Sequence, residues 1–368
     1  MYIEAKPDMV VVKNQGRYMV NIGVVGTGNM ANAYHARVLS EIEGVAISAC
    51  CDVRKETANE FAKKWSVPNV YTDYREMLAN EPLAGICNVT PDSMHAEVAI
   101  AAVKAGVSVL CEKPMAVTVD EAKKMVAALE GSDVIHMVNY SKRDFPGLRG
   151  AKTVIESGEI GRIMHVECSY LQGWLSSMDW DQAKEKTSWL WRLSTAHGSN
   201  GDLGDLGCHI YDMASFLCGD IESISCRLKT FEKPVPENKL GEYVFDANDG
   251  FVASVKFKNG AIGTIQSTRW ASGYRNREFI RIYGDKATLE FDANLSRDQY
   301  RFMPADSGGW TVVACASTPN NVQRFIESIN TGENDPNNFY NGLKIQAYLH
   351  ASVESDRLNQ SIDIEPGA

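Results

Sequence analysis

The chain has 368 residues, which is long enough for two domains that each bury a core of their own. It carries 37 Lys and Arg against 47 Asp and Glu, so its net charge is −10, and this acidic balance argues against a nucleic-acid surface. No apolar run reaches the roughly 18 residues of a membrane-spanning helix, and the first 20 residues lack a signal-peptide pattern. We therefore expect a cytoplasmic protein without a nucleic-acid or membrane partner.

The first half of the chain alternates short apolar runs with helical patterns. Strands are predicted at 21–26, 45–51, 84–89, 107–111 and 134–138, all apolar without alternation, as strands covered on both faces are. Helices are predicted at 29–41, 55–65, 73–80, 93–105 and 118–130. This alternation predicts a doubly wound parallel sheet over residues 20–140, preceded by an extension over residues 1–19.

Beyond residue 140 the pattern changes. A helix at 146–157 and an alternating strand at 162–172 are followed by β-type sequence from 222 to 315, which predicts a mostly antiparallel sheet. Further helices are predicted at 205–217, 320–331 and 339–356. Residues 141–368 are thus expected to form an α+β domain for substrate binding with a large open sheet. An uncovered sheet of this size favours a homodimer or homotetramer.

The first predicted strand runs into Gly26-x-Gly28-x-x-Ala31 at the start of a helix. In this pattern the first glycine permits a tight turn, the second lets the backbone approach a pyrophosphate, and the small third residue lets the helix pack closely. The helix N-terminus offers free N–H groups to the phosphates. The residues predicted to bind the cofactor from this loop are Gly26, Thr27, Gly28, Asn29 and Met30.

Asp52 ends the second predicted strand, where a carboxylate accepts hydrogen bonds from ribose hydroxyls. Its charge would repel a 2′-phosphate and favours NAD over NADP. Arg54 lies close by and softens this preference, so NADP is not excluded. Both residues are predicted to contact the cofactor.

Glu112-Lys113-Pro114 follows the fourth predicted strand. Ligands of open parallel sheets bind at the carboxyl ends of the strands, so we expect Lys113 to point into a cleft rather than into the core. Pro114 restricts Lys113 to an extended backbone. A solvated surface lysine is the competing interpretation.

Asp205, His209 and Asp212 are spaced by four and three residues, so they share one face of a helix. A histidine beside carboxylates has an oriented tautomer and raised basicity, which suits proton transfer near neutral pH. The competing interpretations are a buried histidine satisfied by an acid and a metal site. We expect no metal, because the segment 205–212 holds only one histidine and no second ligand cluster is evident. The nine cysteines, without a C-x-x-C pair, are typical of buried thiols.

Together these segments resemble the Gfo/Idh/MocA oxidoreductases. The resemblance rests on the glycine loop, on 88–106, 112–114, 147–163 and 203–212, which occur in one order. It implies a Rossmann domain followed by an α/β domain with a large open sheet. It also implies that Lys113, Asp205 and His209 form the catalytic group, with the order in which Lys113 and His209 take up the proton left open.

The resemblance further implies a nicotinamide site lined by Thr90, Pro91 and His95, with Glu112 and Lys113 beside it. The segments 189–192, 203–209 and 268–292 are most similar to dehydrogenases of pyranose sugars, glycosides and inositols. The predicted reaction is the oxidation of a secondary hydroxyl of such a substrate by hydride transfer to NAD. The residues predicted to bind it are Lys113, Tyr140, Trp191, Arg192, Asp205 and His209.

Aromatic faces suit the apolar face of a pyranose, and Trp174, Trp180, Trp189 and Trp270 are weaker candidates beside Trp191. Large aromatic residues are also often plain core residues. The segment 139–144 departs from the family pattern, so no substrate contact is carried over from the asparagine usual there.

Two other functions stay open. One is a glycosidase that oxidises and re-reduces the sugar around an elimination step, which hydrolysis of a glycoside without net NADH would reveal. The other is a nucleotide-sensing protein without turnover, since a fold alone does not fix a function.

Overall fold

The structure, a computed structural model, describes residues 11–14, 17–180 and 187–365. Contacts between residues divide the chain into two compact units. The first comprises Met1–Tyr140 with Pro319–Leu343, and the second Ser141–Thr318 with Lys344–Ala368. Within the described residues, no helix combines the length and apolar character needed to cross a bilayer.

The first unit contains a seven-stranded sheet flanked by helices. Its strands are β1 (Val11–Asn14), β2 (Arg17–Val25), β3 (Val45–Cys51), β4 (Asn69–Tyr71), β5 (Gly85–Asn88), β6 (Ser108–Cys111) and β7 (His136–Val138). Its helices are α1 (Ala36–Glu41), α2 (Lys55–Trp65), α3 (Tyr74–Asn80), α4 (His95–Lys104), α5 (Val119–Ala127) and α8 (Asn321–Thr331). A π-helical turn, Ala31–His35, leads into α1.

The strands are parallel in the order β4-β3-β2-β5-β6-β7, which confirms the predicted doubly wound sheet. The order reverses between β2 and β5, and ligands of such sheets bind at the carboxyl ends of the strands at this point. Ile22, Val24, Ile86 and Leu110 have no exposed surface, because helices cover both faces of the sheet. This explains why the predicted strands were apolar without alternation.

Two strands lie outside the predicted set. β1 pairs antiparallel with the start of β2, so residues 11–14 of the predicted extension add a strand to the sheet. β4 has three half-buried residues at the edge of the sheet. A run this short has no periodicity for a sequence pattern to detect.

Helix α8 lies in the first unit, although its residues were expected in the second domain. Its apolar face, Val322, Phe325, Ile326 and Ile329, is buried in the core of the parallel sheet. Gly85 makes room for it, because a Cβ at that position would lie 3.0 Å from Phe325 and from Ile329. The segment 319–343 therefore returns to the first unit because its apolar face is complementary to that sheet.

The second unit is built on a nine-stranded sheet. Its strands are β8 (Ile163–Leu171), β9 (Ile221–Lys229), β12 (Gly250–Phe257), β13 (Ile262–Thr268), β14 (Arg277–Gly284), β15 (Ala287–Asp292), β16 (Gln299–Pro304), β17 (Thr311–Ala314) and β18 (Ile362–Asp363). A separate hairpin joins β10 (Lys239–Leu240) to β11 (Tyr243–Val244). The helices are α6 (Pro146–Glu156), α7 (Cys208–Cys218) and the greater part of α9 (Phe339–Leu358).

The order is β17-β16-β15-β14-β8-β13-β12-β9-β18, and only the β8–β13 pairing is parallel. This confirms the predicted, mostly antiparallel sheet. One face is buried through residues such as Cys168, Ala253 and Ile265. Along β12 and β13 the alternate residues, among them Val252 and Ile262, are exposed, so the sheet presents a second face to solvent.

Candidate active site

The glycine loop follows β2 at the point where the strand order reverses. Gly26 has φ of +84°, and a Cβ there would lie 2.4 Å from the carbonyl oxygen of Val89, so no other residue fits. A Cβ at Gly28 would meet no atom within 4 Å. Asn29 and Met30 are exposed, whereas Thr27 is buried. The loop is therefore closed on the protein side and open on the side where a pyrophosphate would approach.

Asp52 lies beside this loop at the end of β3. Its Oδ2 accepts hydrogen bonds from the backbone N–H of Thr27 at 3.0 Å and from the Thr27 hydroxyl at 3.1 Å. Its Oδ1 accepts from the N–H of Arg54 at 3.0 Å, while the Arg54 guanidinium lies 3.6 Å away and is mostly exposed. The carboxylate that would receive the ribose hydroxyls is thus held by the loop that would receive the phosphates.

Thr90 and Pro91 follow β5, across the switch point from the glycine loop. The Thr90 hydroxyl donates to the Asn88 side chain at 2.7 Å, and Pro91 is exposed. His95 is almost fully buried, with Nε2 2.9 Å from the carbonyl oxygen of Thr90 and Nδ1 2.7 Å from that of Pro114. His95 therefore ties together the two turns at this edge of the sheet, and its ring has no surface open to a cofactor.

Glu112 was also expected to contact the cofactor, but its carboxylate is turned into the protein. Its Oε1 lies 2.7 Å from Nε2 of His35 and accepts from the Asn139 amide at 2.7 Å, and its Oε2 accepts from the backbone N–H of Lys113 at 3.2 Å. Burial would by itself raise the pKa of Glu112, yet the hydrogen bond and charge of His35 lower it to about 2. The structure therefore makes Glu112 an internal anchor for the backbone of Lys113.

The partner, His35, has no exposed surface. Burial would by itself lower its pKa, yet its interactions with Cys87 and with the Glu112 carboxylate raise it to about 10. Asn139 is held in turn, because its Oδ1 accepts from the Asn321 amide of α8 at 2.9 Å. Sequence analysis missed this network, and no motif connects its members.

Lys113 stands one residue beyond Glu112, at the carboxyl end of β6. Its side chain is partly exposed, and its peptide bond to Pro114 is cis. The backbone on either side is fixed by Glu112 and by the contact of His95 with Pro114. A partly exposed ammonium on a fixed backbone suits a group that donates to a ligand oxygen.

In the second unit, a π-helical turn, Leu203–Gly207, continues directly into α7. The turn carries Asp205, and α7 carries His209 in its first turn. π-Helical turns recur at functional sites, since the wider turn re-aims side chains. His209 is 6% exposed, and its ring centroid lies 6.3 Å from that of Tyr170 on β8.

Asp205 forms ion pairs with two arginines. Its Oδ2 accepts from Arg269 at 3.0 Å and lies 3.8 Å from Nε of Arg192. The side chains of Asp205 and Arg192 are each about one-third exposed, so both remain accessible to a small molecule. The Arg192 guanidinium also lies over the ring of Trp191, with 4.6 Å to the centroid.

Asp212, which shares the helix with His209, is bound by an arginine. It forms two hydrogen bonds with Arg143 at 2.6 and 2.7 Å, and both side chains are buried. A buried guanidinium thus donates to both carboxylate oxygens of Asp212. Within the described residues, no group of His, Cys, Asp and Glu is arranged to hold a metal ion.

The aromatic candidates separate by packing. Trp174, Trp180 and Trp270 pack against a hydrophobic cluster formed by Leu175, Leu190, Leu193, Leu240 and Phe245. Trp189 is exposed and Trp191 half-buried. Tyr140 has no exposed surface, so we correct its expected substrate contact to a core position.

Two family models match the chain. The model of the oxidoreductase family with an NAD-binding Rossmann fold matches residues 20–140, and that of the GFO/IDH/MocA C-terminal domain matches residues 148–290. The parallel sheet and glycine loop thus belong to a dinucleotide-binding oxidoreductase. The chain is a member of the Gfo/Idh/MocA family, as the sequence motifs predicted, and its cofactor is NAD.

The chain is similar to two dehydrogenases that are named for a sugar derivative and an inositol. Levoglucosan dehydrogenase of Pseudarthrobacter phenanthrenivorans is 30% identical over 293 residues, which cover 74% of this chain and 73% of that protein. Myo-inositol 2-dehydrogenase of Thermotoga maritima is 27% identical over 277 residues, covering 74% and 75%. The solved structure of levoglucosan dehydrogenase in complex with NADH matches with a TM-score of 0.83 at 27% identity, over 94% of this chain and 99% of that one.

Proposed function

We propose that the protein is an NAD-dependent dehydrogenase that oxidises a secondary hydroxyl of a sugar, glycoside or inositol. The observation that carries the proposal is the pair of Asp205 and Arg192, a partly exposed carboxylate and guanidinium 3.8 Å apart with Trp191 beside them. A carboxylate and a guanidinium bind adjacent hydroxyls, and an aromatic face packs on the C–H face of a ring. The levoglucosan and inositol dehydrogenases among the relatives support the same class of substrate.

We assign the proton chemistry to His209 and Lys113. In the mechanism that we propose, His209 takes the proton of the substrate hydroxyl, and Lys113 donates a hydrogen bond to developing negative charge. NAD, when bound, supplies the acceptor for the hydride that leaves the carbon. Asp205 binds the substrate or orients its reacting hydroxyl. Glu112 fixes the backbone that carries Lys113.

The cofactor would be held mainly by the glycine loop and Asp52. Gly26 and Gly28 leave the loop open to the pyrophosphate, and the Asp52 carboxylate would exchange its contacts with Thr27 for ribose hydroxyls. Thr90 and Pro91 would line the nicotinamide end. The buried His95 supports that end from behind.

The test is a screen of levoglucosan, myo-inositol, free aldoses and glycosides with NAD and with NADP, followed by the absorbance of the reduced cofactor. Lys113→Met and His209→Ala are expected to lower kcat by about 10²–10⁴-fold while leaving the Kd of NADH within a few-fold. The exposed residues Lys104 and His350 provide matched controls, Lys104→Met and His350→Ala.

Near-normal turnover in either site variant would refute its catalytic role. If the protein hydrolyses a glycoside without accumulating NADH, the proposed function would change from a dehydrogenase to a redox-cycling glycosidase. Binding of NADH without turnover of any sugar would select a nucleotide sensor.

We also propose that the exposed face of the nine-stranded sheet binds a second copy of the chain. That face mixes apolar residues such as Val252 and Ile262 with the ion pairs of Arg281 with Glu167 and Glu290, so two copies can offer each other both kinds of contact. Light scattering after size exclusion is expected to give a dimer or tetramer. Ile262→Lys should yield monomers, and a wild-type monomer at all concentrations would refute this proposal.

A further inference from the structure

Arg269, the residue that follows β13, is the largest side chain of the described chain without exposed surface. Removing a guanidinium from water costs free energy unless acceptors surround it. The groups that accept its hydrogen bonds therefore indicate the role of Arg269.

Three of those partners are acceptors from the segments that carry the proposed site. One terminal nitrogen donates to Oδ2 of Asp205 at 3.0 Å and to the carbonyl oxygen of Gly201 at 3.4 Å, and the other donates to the carbonyl oxygen of Arg192 at 3.1 Å. The carboxylate of Asp202, also without exposed surface, lies 3.8 Å from Nε. One planar group thus holds the π-helical turn and the segment of Arg192 together.

Asp205 and Arg192 differ from Arg269 in the exposed fraction of their side chains. Asp205 and Arg192 keep about one-third of their side chains accessible, whereas Arg269 keeps none. A substrate can therefore reach the first two, and Arg269 can influence it only through them. The separation in sequence is large, because Arg269 lies 64 residues beyond Asp205.

We propose that Arg269 is a positioning residue that fixes Asp205 and the backbone of Arg192 for substrate binding and turnover. The inference rests on the proposed function, because both residues belong to the site assigned there. A lysine cannot replace the arginine, since a single ammonium group lacks the fork that reaches Asp205 and the Arg192 carbonyl from two separate nitrogens.

The experiment is a double-mutant cycle of Arg269→Lys and Asp205→Ala, with kcat and KM measured on the substrate identified by the screen. Displacement of a binding group by about 1 Å costs up to about a hundredfold in rate, so Arg269→Lys alone is expected to lower kcat/KM by about 10–100-fold. In the Asp205→Ala background the same change should cost at least about threefold less than in the wild type, because only its contact with the Arg192 carbonyl remains to be lost.

Arg277→Lys serves as the matched control. Arg277 lies in the same unit, and its guanidinium donates two hydrogen bonds to the Asp292 carboxylate, at 2.7 and 2.9 Å. Neither residue belongs to the proposed site, so kcat/KM should stay within about twofold of wild type. A loss as large as that of Arg269→Lys would show that any broken arginine pair in this unit has the same effect, and would overturn the inference.

Chemical rescue separates positioning from folding. Added guanidinium or methylguanidinium should raise the kcat/KM of Arg269→Ala at least tenfold, whereas ammonium at the same concentration should not raise it. Circular dichroism would establish that the variant is folded before rescue. Equal rescue by ammonium and guanidinium, or none in a folded variant, would overturn the inference.

The cycle also distinguishes failure of the inference from failure of the proposed function. Normal turnover in Asp205→Ala would remove Asp205 from the site and refute that part of the proposed function. Two other outcomes would refute only the role of Arg269. One is loss of turnover in Asp205→Ala with near-normal turnover in Arg269→Lys. The other is that the two losses multiply in the double variant.

Discussion

The buried pair of His35 and Glu112 makes a quantitative prediction for His35→Leu. A pKa of about 10 for His35, against an ordinary 6.5, corresponds to about 5 kcal/mol, and a pKa of about 2 for Glu112, against 4.5, corresponds to about 3 kcal/mol. Both values include the contact between His35 and Glu112, and each also includes other neighbours, Cys87 for His35 and Asn139 for Glu112, so they are not added. We expect a loss of about 3 kcal/mol in unfolding free energy, because Asn139 and the Lys113 amide still hydrogen-bond Glu112 in the variant.

The pH dependence has a definite sign. His35 has a raised pKa, so its stabilisation is complete below pH 6.5 and is lost as the pH rises toward 10. Glu112 has a lowered pKa, so its stabilisation is complete above pH 4.5 and is lost as the pH falls toward 2. The difference between wild type and His35→Leu should therefore be largest at pH 4.5–6.5 and shrink by about 1.4 kcal/mol per pH unit above that range.

Urea unfolding followed by circular dichroism at pH 5.5 and pH 7.5 measures this difference. The exposed His350 supplies the control, since His350→Leu should leave the unfolding free energy within about 0.5 kcal/mol at both values. A loss below about 1 kcal/mol for His35→Leu at pH 5.5, or one that does not change between the two pH values, would contradict the charged pair.

Two further predictions concern the cofactor site. Gly26→Ala should lower both the melting temperature and the affinity for NADH, because its Cβ would lie 2.4 Å from the Val89 carbonyl oxygen. Gly28→Ala should leave the melting temperature unchanged and weaken only NADH binding, since its Cβ would meet no atom within 4 Å. Calorimetry of both variants checks this, and equal melting temperatures for the two would contradict it. Asp52→Asn should weaken NAD binding and raise the ratio of kcat/KM for NADP to that for NAD, and an unchanged ratio would exclude Asp52 as the source of the preference.

The parallel sheet and its loop were predictable because their signals are local. Strands buried on both faces are apolar throughout, and the glycine loop must follow such a strand directly. Thr118 and Glu121, three positions apart, form a capping box at the start of α5, and both of its hydrogen bonds are present. Each of these features depends on residues only a few positions apart.

The placement of α8 was not predictable in this way. Its amphipathic pattern indicated a helix near 320–331, but either unit offered a sheet for its apolar face. Contact with Gly85 decides the matter, because the missing side chain there accommodates Phe325 and Ile329. Complementary shape between distant segments leaves no mark in the local sequence.

For the site, the sequence by itself determined which chemical groups are available: a glycine loop, an acid after β3, a lysine after β6, and an acid and histidine four residues apart. Only the tertiary structure decided their partners. Glu112 turns inward to His35, 77 residues away, and Asp205 is bound by Arg269, 64 residues away. The physical reason is that burial makes a charge depend on its neighbours in space, and folding alone determines which residues those are.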